Sequence, residues 1–102
     1  MENKISFKEL LEGEKPVLID FTASWCGPCR MMAPVLEDVK KQLGEKATIV
    51  KVDIDRNQAF AGSMGIQGVP TFVLFKKGKE TWRHVGMISG PQLKGVLEKS
   101  AE

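Results

Sequence analysis

Val17-Leu18-Ile19-Asp20-Phe21-Thr22-Ala23-Ser24-Trp25-Cys26-Gly27-Pro28-Cys29 is the stretch on which the fold turns. Residues 17–23 are a short, nearly continuous apolar run with β-branched side chains. That pattern belongs to a strand buried on both faces, the habit of a central parallel strand. Downstream, Cys29, Met32, Ala33, Leu36, Val39 and Leu43 recur near the helical period and predict a long helix from about Pro28 to Leu43. Gly44 closes it, Glu37 and Lys41 pair on its outer side, and Pro34 predicts a kink. Residues 47–54 then read as a second strand, so strand, helix and strand make a right-handed βαβ unit. Cys26 and Cys29 fall at the handover from strand to helix. Open α/β sheets carry their sites there, beyond the carboxyl ends of strands.

The cysteine spacing has a chemical use. Residues three apart in a first helical turn share a face, so two sulfurs can bond or part with little backbone movement. Cys26 would sit at the helix N-terminus, where unpaired N–H groups and the helix dipole favour a thiolate. Pro28 costs little in that first turn, because its missing N–H had no partner there. Other uses of the pair are weaker. A structural bridge over so short a loop removes little unfolded-state entropy. A zinc site needs four ligands, and the chain offers two cysteines and one histidine, His84, on a different strand. Covalent haem attachment needs a histidine where Arg30 stands.

Asp20 is the second anomaly. It lies mid-strand in an apolar run, where a carboxylate is costly to bury and desolvation raises its pKa toward the range useful for proton transfer. Six residues before Cys26, it belongs beneath the dithiol rather than beside it. Lys51, in the neighbouring strand, is its expected partner across the sheet.

Away from this centre the chain is ordinary. Its 102 residues fit one domain over 1–102, with no repeat, linker or low-complexity tract. Apolar residues make up 42% and charged residues 27%, which excludes a disordered tail. Fifteen Lys+Arg against 13 Asp+Glu leave a net charge of +2, which points to neither nucleic acid nor membrane as a partner. The charged N-terminus lacks a signal-peptide core and no apolar run approaches a membrane span. A cytoplasmic, thiol-reducing setting is therefore expected, and two cysteines there need a purpose other than stapling the fold.

The remaining elements are short. Ser6 and Glu9 form a capping box for a first helix, with Ile5 stapled to Leu10, Phe7, Leu10 and Leu11 on one face, and Gly13 as the stop. Residues 57–64 read as a helix ended by Gly65, and residues 71–75 and 80–85 as a hairpin around a solvated Lys76-Lys77-Gly78-Lys79 turn. Trp82 and His84 read as edge-strand residues. A last helix spans about Pro91 to Ser100, with Ser89 and Gln92 as its capping box.

Asp20-Phe21, Ala23-Ser24-Trp25-Cys26-Gly27-Pro28-Cys29, Ala33-Pro34, Lys51-Val52-Asp53-Ile54-Asp55, Gly68-Val69-Pro70-Thr71-Phe72 and Val85-Gly86 occur in that order along almost the whole chain. Together they resemble the thioredoxin family. The resemblance implies an α/β thioredoxin fold, a central mixed sheet of four to five strands with helices on both faces. It also implies protein-disulfide reduction in the service of cell redox homeostasis. Cys26 becomes the nucleophile and Cys29 the resolving thiol of one redox-active disulfide, and Asp20 handles the Cys29 proton. Val69-Pro70 becomes a cis bond packed on the dithiol. Trp25, Gly27, Pro28, Gly68, Val69, Pro70 and Gly86 line an apolar rim where an extended client pairs with the Val69 backbone. Gly27 and Pro28 place no charge between the cysteines, so the pair should act as a reductant. Disulfide-containing client proteins and an NADPH-dependent thioredoxin reductase are the implied partners, with no bound cofactor and a monomeric state. Two departures stand out: Thr22 replaces a usual large aromatic, and the shorter N-terminus leaves the family's first strand vestigial or absent.

Overall fold

Side chains that alternate between the two faces of the sheet build two cores in the computed structural model of the protein, which describes residues 6–102. The elements are α1 (Phe7–Glu12), β1 (Val17–Thr22), α2 (Gly27–Leu43), β2 (Thr48–Asp53), α3 (Gln58–Ser63), β3 (Thr71–Lys76), β4 (Lys79–Val85) and α4 (Gly90–Ser100). The sheet order is β2-β1-β3-β4, with β1 parallel to β2 and antiparallel to β3, and β3 antiparallel to β4. Among the described residues the sheet has four strands, the lower of the two numbers expected.

Strand β1 is central, and its apolar run is buried from Val17 through Phe21. Because side chains alternate across a strand, its even and odd positions serve different cores. Leu18 packs with Phe72, Leu74 and the α2–α4 pair through Met32, Leu36, Val39, Leu43, Leu93 and Leu97. Ile19 and Phe21 pack on the opposite face with Val73 and Ala61, backed by Leu11 and Phe60 from α1 and α3. Helices thus cover both faces, as the resemblance implies. Asp20 shares the α2 side with Leu18, a carboxylate in a row of core positions.

Helix α2 buries Cys29, Met32, Leu36, Val39 and Leu43, while Ala33 is only half-buried. It runs through Pro34 to Gly44, whose φ of +57° is a conformation glycine adopts without steric cost. The capping box of α1 is complete, with both Ser6 and Glu9 engaged. The Ile5–Leu10 staple lies outside the described residues. At α4 only half of the expected box forms. The Ser89 hydroxyl oxygen accepts the Gln92 N–H, but Gln92 turns its own Oε1 to the Ser89 hydroxyl.

The hairpin is tighter than its sequence suggests. Pairing continues to Lys76–Lys79, so the turn is Lys77-Gly78 alone, with φ of 55° and 79°. Positive φ at both residues gives the twist that suits a two-residue hairpin. The Lys77 and Gly78 N–H groups donate to Gly13 and Leu11 carbonyls, so the turn is tied to the end of α1 rather than simply solvated.

Candidate active site

Cys26 is the N-cap residue of α2, and its sulfur accepts the Cys29 N–H at 3.1 Å. That contact follows from the sequence: the β1 run ends, the chain turns at Ser24-Trp25, and Gly27-Pro28 starts a helix without needing its first N–H bonds. The two cysteines are joined as a disulfide with Cα atoms 5.3 Å apart. The first helical turn therefore brings the sulfurs together, as the spacing predicts. Both residues are nearly enclosed, Cys26 at 4% and Cys29 at 7% exposure. Enclosure does not distinguish them. The cap does, because only Cys26 Sγ receives a backbone donor from the helix end.

A second segment closes over this pair. The Val69-Pro70 bond is cis, and the Val69 carbonyl oxygen lies 3.7 Å from Cys26 Sγ, within reach of a thiol proton in the reduced form. The Thr71 hydroxyl donates to the Gly68 carbonyl at 2.6 Å and folds the 68–71 segment on itself. Gly86 has φ of +97° and donates its N–H to the Pro70 carbonyl at 2.8 Å. Residues from three separate stretches of chain thus meet: Cys26 with Cys29, Val69-Pro70, and Gly86. Gly68 is exposed, Gly27 half-buried and Pro28 exposed.

Trp25 is 65% exposed, yet its indole N–H donates to Asp55 Oδ2 at 2.9 Å. Asp55 belongs to the Lys51–Asp55 motif, where the resemblance assigns it no role. Its place just past the end of β2, beside the carboxyl end of β1, was the available clue. Arg30 donates to the Ser24 carbonyl at 2.7 Å and fixes the turn before the dithiol. Met31, 63% exposed, adds a large apolar side chain to the helix start, which the motif did not single out. His84, on β4 opposite Phe72, lies with Nε2 3.0 Å from the Met87 carbonyl. Trp82 is half-buried against the α2–α4 core, an edge-strand packing role.

Asp20 and Lys51 face each other in the parallel β1–β2 register. Asp20 is 3% exposed, and its pKa is pushed from 3.8 up to about 6. Burial is the larger cause, and the Lys51 charge pulls the value partway back. No side-chain hydrogen bond holds this carboxylate among the described residues, and none of their fully buried side-chain oxygens lacks a partner, so Asp20 keeps a narrow opening to solvent. The structure does not bring Lys51 to the sulfurs. It brings Lys51 to Asp20.

A cysteine pair at a helix start, a cis-proline segment over one sulfur and a buried carboxylate on the same strand define a dithiol–disulfide oxidoreductase. A thioredoxin family model matches residues 1–99. The chain is 45% identical over 98 residues to the chloroplastic thioredoxin Y of Oryza sativa subsp. japonica, covering 95% of this chain and 58% of that protein. It is 42% identical over 92 residues to a thioredoxin of Alicyclobacillus acidocaldarius, covering 90% and 88% of the two chains. Among solved structures, a single-substitution variant of thioredoxin from Halobacterium salinarum NRC-1 superposes with a TM-score of 0.86 at 38% identity, covering 99% of this chain and 88% of that one. The chain belongs to the thioredoxin family, and its activity is protein-disulfide oxidoreduction of the thioredoxin type.

Proposed function

We propose that the reduced protein attacks client disulfides with Cys26 and releases them with Cys29. The Cys26 thiolate displaces one client sulfur as a thiolate and forms a mixed disulfide. The Cys29 thiolate then attacks Cys26 Sγ, the second client sulfur leaves as a thiolate, and the Cys26–Cys29 bond closes. Two electrons pass to the client, whose leaving sulfurs take up two protons. One observation carries this reading: Cys26 Sγ accepts the Cys29 N–H at 3.1 Å at the positive end of a 17-residue helix. In the mixed disulfide, Asp20 takes the Cys29 proton, and Lys51 keeps its ionised form accessible.

The Val69 backbone, with Gly68, Pro70 and Gly86 beside it and Trp25, Gly27 and Pro28 opposite, receives an extended client strand. No charged side chain stands between the cysteines, so the reduced dithiol gains no extra stabilisation and the protein works as a reductant. A thioredoxin reductase returns the electrons, and the protein acts as a monomer in a reducing compartment such as the cytoplasm. None of the described helices is long and apolar enough to cross a membrane.

Single-turnover reduction of insulin disulfides tests the assignment. Cys26→Ser abolishes it, whereas Cys29→Ser accumulates a client-linked species on non-reducing gels. Turnover by Cys26→Ser at the wild-type rate sinks the nucleophile assignment. Redox titration against glutathione tests the direction. A potential above that of the glutathione pool would instead make the protein an oxidase.

A further inference from the structure

We propose that Asp20 exchanges its proton with solvent through a private port on the α2–β2 side of the molecule, and that Lys40 positions charge at its mouth. This inference deepens the general-base reading of Asp20 and rests on it. On the α2–β2 side of Asp20 lies a chamber of about 110 Å³. Buried Asp20 forms its floor, Ala33, Leu36 and Ile49 its walls, and exposed Glu37, Lys40 and Lys51 its rim. None of these residues belongs to the lip of Trp25, Val69, Pro70 and Gly86 that a client would cover. Glu37 and Lys40 lie eight and eleven residues past Cys29, roughly 12 and 16 Å along the helix axis.

That separation matters because of when the proton moves. The second exchange happens with a client disulfide-linked to Cys26 and seated over the dithiol. A proton taken from Cys29 then cannot leave through the covered lip. The chamber supplies a polar exit: Asp20 keeps contact with solvent although only 3% exposed, and the walls between it and the rim are apolar. Such a passage holds water only where polar groups face it, and Asp20 at one end with three charged heads at the other meet that need.

Charge at the rim sets how readily the floor ionises. Lys51 from β2 attracts the carboxylate; in this proposal the rim charges of Lys40 and Glu37 from α2 act on it in opposite directions through the opening. On the β3 side Asp20 meets Phe72, which carries no charge, and His84 on β4 stands one strand further along the same row. Glu37 and Lys40 form no ion pair with each other or with Lys51 among the described residues, so all three charges act on the opening. Lys40 acts through Asp20. It is a positioning residue.

The test follows the two exchanges separately by stopped flow with a disulfide peptide, using Ala33→Leu to fill the chamber and Lys40→Glu and Lys40→Arg to change its rim. We expect Ala33→Leu to slow the second exchange about fivefold or more and leave the first attack within twofold. Added to Asp20→Asn it should slow nothing further. Lys40→Glu should move the pH midpoint of the second exchange upward, and Lys40→Arg should leave it in place. These rim variants keep the proposal testable if Ala33→Leu does not fold. Slowing of both exchanges alike, slowing that persists in Asp20→Asn, or an unmoved midpoint in Lys40→Glu overturns the port. If Asp20→Asn itself leaves the second exchange at the wild-type rate, the general-base reading fails and the port falls with it. If Asp20→Asn slows that step while Ala33→Leu and Lys40→Glu do not affect it, the port alone is wrong.

Discussion

Asp20 and Thr71 are the two polar residues buried among the described part of the chain, and they are treated in opposite ways. They lie on adjacent strands, Thr71 paired with Phe21, the neighbour of Asp20. The Thr71 hydroxyl is satisfied by the Gly68 carbonyl at 2.6 Å, and that bond shapes the segment facing Cys26. Asp20 has no such partner; its surroundings are a cation across the register and a small chamber. A buried hydrogen-bonded hydroxyl holds structure at little cost, whereas a buried carboxylate without a hydrogen bond is held against its solvation preference. The first residue builds the site. The second is ready to react.

The largest expected effect tests that contrast at Asp20. Its folded-state pKa of about 6 lies above the 3.8 of the exposed group, so between these values the folded protein binds the extra proton. Stability therefore falls as pH rises through this window, and above it the ionised burial costs about 3 kcal/mol. Asp20→Asn should stabilise the oxidised protein by up to about 3 kcal/mol at pH 7 and by nearly nothing below pH ~4, read from urea unfolding at both pH values. The same variant should slow the second thiol exchange on the order of 10²-fold at pH 7, the lower end for positioned proton transfer. A gain in stability that is equal at both pH values would remove the carboxylate's burial as its cause.

Thr71→Val comes next and should run the other way. It keeps the shape of the side chain and deletes the donor to Gly68. The expected loss is about 1 kcal/mol and independent of pH, because no titrating group is involved. Thermal unfolding at pH 4 and pH 7 checks it. A loss that grew with pH would tie Thr71 to the Asp20 equilibrium and erase the distinction between the two residues.

How much of this was legible in the sequence depends on the range of the interaction. Cys26 at the helix start, the stripe from Cys29 to Leu43 and the buried run of β1 all follow from local periodicity and first-turn chemistry. Asp20 was legible because a carboxylate in an apolar strand is costly to bury, although a hydrogen-bonded strand-end residue reads the same way. Lys51 was legible because the neighbouring strand offers it as a partner. Long-range polar contacts were not. Nothing in the residues around Trp25 says that its indole meets Asp55, thirty positions away, and only the sheet order puts them side by side. The tight Lys77-Gly78 turn was missed for a similar reason. Its anchors are carbonyls of Leu11 and Gly13 at the other end of the chain, so the four-residue reading had no local contradiction. The cis bond and the rim came from the resemblance alone, since a proline after valine does not announce either.

The smallest expected effect is at Lys51, and it asks whether Asp20's burial or its charged neighbour dominates. Burial is the larger influence on the carboxylate, and Lys51 is exposed, where a pair contributes no more than about 1 kcal/mol. Lys51→Gln removes the attraction and leaves the desolvation intact. The Asp20 pKa should then rise above about 6, which carries the falling limb of stability to higher pH. At pH 7 the variant should lose less than about 1 kcal/mol, and below pH ~4, where Asp20 is protonated in both states, it should match the wild type. In the Asp20→Asn background the substitution should do nothing at either pH, because the charge it removes has lost its partner. Carboxyl infrared titration of the oxidised protein reads the midpoint directly. A midpoint that falls, or a stability loss that survives Asp20→Asn, would mean that Lys51 supports the strand rather than the carboxylate.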